Sequence, residues 1–149
     1  MKIILMRHGE AQPRAPSDAL RELTERGEKE VIANAGRMQA LVDIEMLISS
    51  PYIRARQTAG LVQQQLPQEL AITNWQEITP SGDCAVVFDK ICAAEMAGIL
   101  LVTHQPFISK FINYLTGSSV AMGTASVVAI ENELLMVGCG EVQWQIHNN

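Results

Sequence analysis

A chain of 149 residues, 48% hydrophobic and 18% charged, has the balance of an ordered protein built on one hydrophobic core. Its net charge of −5 weighs against nucleic acid or an anionic membrane as the main partner, although clustered arginines can still receive a small anion. Three cysteines with neither CxxC nor metal-ligand spacing, and no apolar run approaching ~18 residues, argue against a disulfide framework, a metal centre and a membrane span. A cytoplasmic protein is the expectation.

Ile3-Ile4-Leu5-Met6 is a short apolar run that meets Arg7-His8-Gly9 at once, which suits a strand buried on both faces and is too short for a signal peptide. Residues 11–23 carry Pro13, Pro16, Ser17 and Asp18 and read as a loop. Thr24 is placed to cap a helix over residues 25–42, with Val31, Ala35, Met38 and Val42 at helical spacing. Met46-Leu47-Ile48 predicts a second buried strand ending at Ser49-Ser50-Pro51. Pro51 is expected in the first turn of the next helix, which stops before Pro67 and buries Ile53, Leu61, Val62 and Leu66.

A short strand over residues 70–73 follows, then a loop with Glu77, and a helix capped by Asp83 with Val86, Val87, Ile91 and Ala94 turned inward. Cys84 and Cys92 are expected to be partly buried small apolar residues. Gly98-Ile99-Leu100-Leu101-Val102 gives the strongest buried-strand signal and ends at Thr103-His104, before an apolar helix over residues 107–115. Residues 126–130 and 134–137 look strand-like. Val142, Trp144 and Ile146 alternate as in a half-exposed antiparallel strand, with Trp144 and Phe107 read as core and His147 as a surface residue. The order predicts an α/β sandwich in one domain, residues 1–149, with a mostly parallel central sheet flanked by helices and antiparallel C-terminal strands.

Three of these strands end in polar residues of one chemical kind. The first delivers Arg7 and His8, the second Ser49-Ser50 and then Arg54, and the long one His104. Residues just beyond the carboxyl ends of parallel strands share one crevice, so two imidazoles and two guanidiniums converge on a site for a tetrahedral dianion. A histidine after a strand is more often a loop or capping residue, and an arginine in a helix's first turn more often a solvated charge. Their joint occurrence, with Gly9 permitting close backbone approach, is what points to function.

Arg7-His8-Gly9, Ser50-Pro51 with Arg54 and Gln57-Thr58-Ala59, and Val102-Thr103-His104, in that order, resemble the histidine phosphatase superfamily, which includes phosphoglycerate mutases. Ser17-Asp18 with Arg21, Leu23-Thr24, and the segment from Glu77 to Asp83 are similar to its SixA-type phosphohistidine phosphatases. The resemblance implies a phosphoglycerate-mutase-like fold, His8 as a nucleophile transiently phosphorylated, and Arg7 and Arg54 as holders of the phosphoryl oxygens. It further implies His104 as a donor to those oxygens, Arg21 as a supporting residue and Glu77 as a candidate general acid. Gln105 departs from the asparagine found in many members.

No cofactor or metal is expected, since the attack needs only a neutral imidazole and charge-stabilising donors. Residues 55–103 are used up by helix, strand and loop, leaving nothing for a cap subdomain over the site. An open site suits a phosphorylated side chain on another protein, so the expected partner is a phosphohistidine-bearing protein, and a monomer would suffice. The rival expectations are a phosphomonoesterase or mutase acting on metabolites, with an efficient acid at Glu77, and a phosphate-pocket module that binds without turnover.

Overall fold

The computed structural model describes residues 1–148 as a six-stranded sheet with helices on both faces. The strands are β1 (Lys2–Arg7), β2 (Met46–Ser49), β3 (Ile72–Asn74), β4 (Gly98–Thr103), β5 (Val127–Glu131) and β6 (Glu141–Ile146). The helices are α1 (Glu25–Met38), α2 (Ile53–Gln65), α3 (Cys84–Ala94) and α4 (Phe107–Thr116). The sheet order is β3-β2-β4-β1-β5-β6, parallel from β3 to β1 and antiparallel over β5 and β6.

The three-layer arrangement follows from residue alternation along the central strands. Ile3, Leu5, Ile99 and Leu101 point to one cluster, which α3 and α4 close with Val87, Phe88, Ile91, Phe107, Phe111 and their neighbours. Ile4, Met6, Leu100 and Val102 point to the opposite cluster, closed by Val31, Ala35 and Met38 of α1 and Ala55, Ala59 and Val62 of α2. A strand buried on both faces must be apolar at every position, which is why β1 and β4 read as continuous apolar runs. Each large side chain so buried contributes roughly 1.5–3 kcal/mol of transfer free energy.

Local choices agree with the sequence at both capped helices. Thr24 Oγ1 accepts from Gly27 N at 2.9 Å, and Asp83 Oδ1 accepts from Ala85 N and Val86 N at 2.9 and 3.2 Å. Five expectations are corrected. Helix α1 ends at Met38, not residue 42, because the chain must turn there to bring Met46 beside Ile99. Pro51 lies outside α2, whose N-cap is Tyr52. Val86 faces solvent on the first turn of α3 while Val87 turns inward.

Residues 134–137 form the exposed connection between β5 and β6. The buried Asn132 side chain accepts from Met136 N and donates to Met136 O, so these backbone groups are satisfied inside a turn, with no ladder needed. In β6 a bulge opposite Ala129 and Ile130 breaks the strict alternation: Trp144 and Ile146 face the α1–α2 cluster, whereas Val142 packs on the other side.

Candidate active site

The three strands that carry the candidate residues, β2, β4 and β1, are adjacent at the centre of the sheet and run parallel. Neighbouring strands lie about 4.8 Å apart, so their carboxyl ends deliver Ser50, His104 and His8 to one small region. Backbone bonds lock the register, with His8 N donating to Thr103 O at 3.1 Å and Ser50 N to Val102 O at 3.0 Å.

His8 is buried, and both ring nitrogens are engaged. Nδ1 lies 2.6 Å from the carbonyl of Gly9. Since that oxygen can only accept, the proton sits on Nδ1. Arg54 Nε donates to Nε2 at 3.3 Å, which requires a lone pair there. The two contacts therefore select one tautomer, with the proton on Nδ1 and the electron pair on Nε2. Burial pushes the His8 pKa down to about 4; the Gly9 contact acts against this, and Arg54 and Arg7 add to it. His8 is thus a neutral imidazole at physiological pH.

The backbone beside it is tightly fixed. Gly9 N donates to Thr58 Oγ1 at 3.1 Å, and that hydroxyl donates to Arg54 O at 2.8 Å, tying the loop after β1 to the first turns of α2. A Cβ on Gly9 would lie 2.7 Å from Val31 Cγ2 and 2.8 Å from Gly27 O, so only glycine fits.

Arg54 is almost fully buried, and each of its three nitrogens has a partner. Besides Nε on His8, Nη1 donates to Asp18 O at 2.6 Å and Nη2 to Asp18 Oδ2 at 3.1 Å. Its guanidinium also lies over the Tyr52 ring, 5.2 Å from the centroid. Arg21 reaches the same aspartate, with Nη1 2.9 Å from Asp18 Oδ1, while its Nε holds Gln12 O at 2.7 Å. The Arg21 bond, with help from Arg54, keeps the Asp18 carboxyl below its ordinary range.

His104 packs between His8 and Tyr52, with ring centroids 5.1 Å from each. Its Nε2 is 2.7 Å from Ser50 Oγ, which also accepts from Tyr52 N. Burial, reinforced by His8 and Arg54, lowers its pKa to about 2, so it too is neutral. Arg7 Nη1 donates to Met122 O at 3.1 Å. Among the described residues, the buried side-chain nitrogens and oxygens without a partner are Arg7 Nε and His104 Nδ1. Leaving such groups unpaired costs about 1–3 kcal/mol each, and both belong to this cluster.

The loop from Met122 to Ser126 closes the other side. Arg7 N donates to Ser126 O and Ala125 N to His8 O, each at 3.0 Å. Asn34 Nδ2 holds Ala125 O at 2.9 Å, and His147 Nδ1 lies 2.9 Å from Ser126 Oγ. His147 is therefore half-buried and bonded, a correction to its reading as a plain surface residue.

Of the candidates from sequence, His8, Gly9, Arg54 and His104 form one contact network and Arg21 joins through Asp18, while the Arg7 guanidinium, held on Met122 O, is near enough to act on His8 and Arg54 by its charge. Glu77 is placed differently. Its Oε2 is 3.1 Å from Lys90 Nζ, which sits over the Trp75 ring. Its own backbone N–H and Lys90 hold its carboxyl below the usual range. Its turn reaches the site's framework through Ile78 O, which accepts from Thr103 Oγ1 at 2.6 Å. Asp18, Tyr52 and Thr58 are contact neighbours that the strand-end argument did not include, while Ser50, which it did bring to the strand end, is the partner of His104 Nε2. Asp18 opens a short 3-10 turn, Asp18–Leu20, too brief to show periodicity, 36 positions from its partner Arg54.

Residues 3–79 match the model of the histidine phosphatase superfamily, branch 1. The phosphohistidine phosphatase SixA of Escherichia coli K12 is 33% identical over 152 residues, covering 98% of this chain and 93% of that protein. A SixA homologue of Haemophilus influenzae is 33% identical over 128 residues, covering 78% of each. A solved structure of the protein histidine phosphatase SixA complexed with tungstate superposes with a TM-score of 0.90 at 29% identity, covering 98% of this chain and 96% of that one.

Proposed function

The chain belongs to the histidine phosphatase superfamily, branch 1, and we propose that it is a phosphohistidine phosphatase working through a phosphorylated His8. The observation that carries this reading is the paired hydrogen bonding of His8, which puts the proton on Nδ1 and the lone pair on Nε2. A neutral imidazole in a defined tautomer, ringed by guanidiniums, is what in-line attack on phosphorus requires.

In the first step His8 Nε2 forms a bond to phosphorus as the bond from phosphorus to the substrate's imidazole nitrogen breaks. The electron pair of that bond leaves with the substrate imidazole, which is neutral if its other nitrogen is already protonated. His8 then carries phosphate on Nε2 and a proton on Nδ1, and the Gly9 carbonyl stabilises the resulting positive ring. Arg7, Arg54 and His104 Nδ1–H are the donors for the phosphoryl oxygens, with Ser50 donating to His104 Nε2 to keep the proton on Nδ1. In the second step water bonds to phosphorus and the pair returns to Nε2.

The substrate class follows from the leaving group. An alkoxide needs a proton from an enzyme acid, whereas Glu77 is an ion-paired carboxylate. An imidazole whose other nitrogen is protonated before the bond breaks leaves neutral and has no such need. Residues 55–103 are taken up by α2, β3, α3, β4 and their connections, with no cap subdomain among them, which supports a phosphohistidine on a folded protein, such as a phosphotransfer domain or carrier, as substrate; the reading extends to cytoplasmic protein dephosphorylation and signal transduction. Among the described residues no helix is long and apolar enough to cross a membrane. The test is relative kcat/KM over a panel of phosphohistidine proteins and common phosphate esters. Preference for the proteins supports the proposal, and rapid turnover of esters with the proteins left intact refutes it.

A further inference from the structure

Arg54 is already engaged as a two-pronged fork, and what it holds is an anion of the protein itself. Both of its η nitrogens lie on Asp18, one on the backbone oxygen and one on the carboxylate, and Arg21 holds the other carboxylate oxygen. One carboxylate is thus shared by two guanidiniums and offsets one of their two charges. Its side chain is 56% exposed, whereas that of Arg54 is 4% exposed. The buried partner is fixed by Asp18, His8 and Tyr52, while the exposed one can swing into solvent.

A phosphoryl group offers the same two η nitrogens a pair of oxygens on one centre, carrying more charge than the carbonyl oxygen and the single carboxylate oxygen they hold now. We propose that Asp18 is an internal competitor of the phosphoryl group, yielding Arg54 Nη2 when the anion arrives and reclaiming it as inorganic phosphate leaves. This deepens the phosphatase reading and rests on it for the identity of the natural anion. The carboxylate keeps the arginine pair from trapping free phosphate. Affinity for the small product is thereby held down, while a protein substrate gains its affinity from contacts beyond the phosphoryl group.

The alternative role, in which Asp18 only holds Arg54 in place, predicts the opposite sign. Tungstate binding by isothermal titration calorimetry separates the two. Under the competitor role, Asp18→Asn, which keeps the shape and removes the charge, binds tungstate about three- to tenfold more tightly than the unmodified chain, and inorganic phosphate inhibits it more strongly by a similar factor. Asp18→Ala shifts both in the same direction. Unchanged or weaker tungstate binding by the folded Asn variant overturns the proposal.

A measurement on the unmodified chain stands beside it. The ¹³C carboxyl resonance of Asp18 must move on saturation with tungstate, as the carboxylate leaves Arg54, and an unmoved resonance likewise overturns the proposal. Tungstate binding does not depend on turnover. Tighter binding in a chain inert towards phosphohistidine would sink the phosphatase reading and leave the competition standing. Intact turnover with unaltered tungstate binding would sink only the competition.

Discussion

Acidification should destabilise this protein in a way that can be assigned to two side chains. His8 and His104 are neutral in the folded state, with pKa values lowered from 6.5 to about 4 and about 2. Between those values and 6.5 the unfolded chain binds protons that the folded chain does not, so stability is fully present above pH 6.5 and is lost as pH falls below it. Each imidazole contributes a slope of about 1.4 kcal/mol per pH unit at most. For His8 the loss is on the order of 3 kcal/mol by the time pH reaches about 4, where its share levels off. Carboxylates titrate in part of the same range, so the informative quantity is a difference. Urea unfolding of the unmodified chain and of His8→Asn at pH 7, 6 and 5 should show the variant's slope shallower by about 1 kcal/mol per pH unit. Equal slopes would refute the claim that His8 is held neutral by burial, and with it the derivation of its nucleophilic form.

Other substitutions probe the site part by part. Arg54→Lys replaces a planar fork by a point charge and should lower kcat/KM towards a phosphohistidine protein by about 10²–10³-fold, read in a phosphate-release assay. Glu77→Gln should change that kcat/KM by less than about threefold and leave its pH profile intact, because the carboxylate serves Lys90; an acid-limb change would favour the ester-hydrolysing rival. Gly9→Ala forces a Cβ against Val31 and Gly27 and should destabilise the chain by about 1–3 kcal/mol in urea unfolding.

Much of the fold was legible because the central strands are buried on both faces and announce themselves as unbroken apolar runs, while Thr24 and Asp83 mark helix starts by capping. The candidate site was legible for a related reason. Its histidines directly follow the most recognisable strands, and parallel pairing brings those strand ends together. Residues 134–137 misled because apolar composition does not say whether a turn has already satisfied the backbone, as Asn132 does here. The end of α1 was missed because it is set by the distance to β2, which periodicity does not report. Asp18 carried no assigned role because its meaning comes from a contact with a distant helix, made from a single 3-10 turn too short to show a repeat. For Glu77 the chain position suggests an acid, and periodicity says nothing of the ion pair that its carboxylate makes with Lys90.

The most direct test of the central claim is to trap the enzyme during turnover of a ³²P-labelled phosphohistidine protein and to examine the linkage by acid lability and ³¹P NMR. The unmodified chain is predicted to carry an acid-labile phosphoramidate that His8→Ala does not form. Label that persists in His8→Ala, or turnover by the unmodified chain with no trapped phosphoenzyme, would contradict attack by His8.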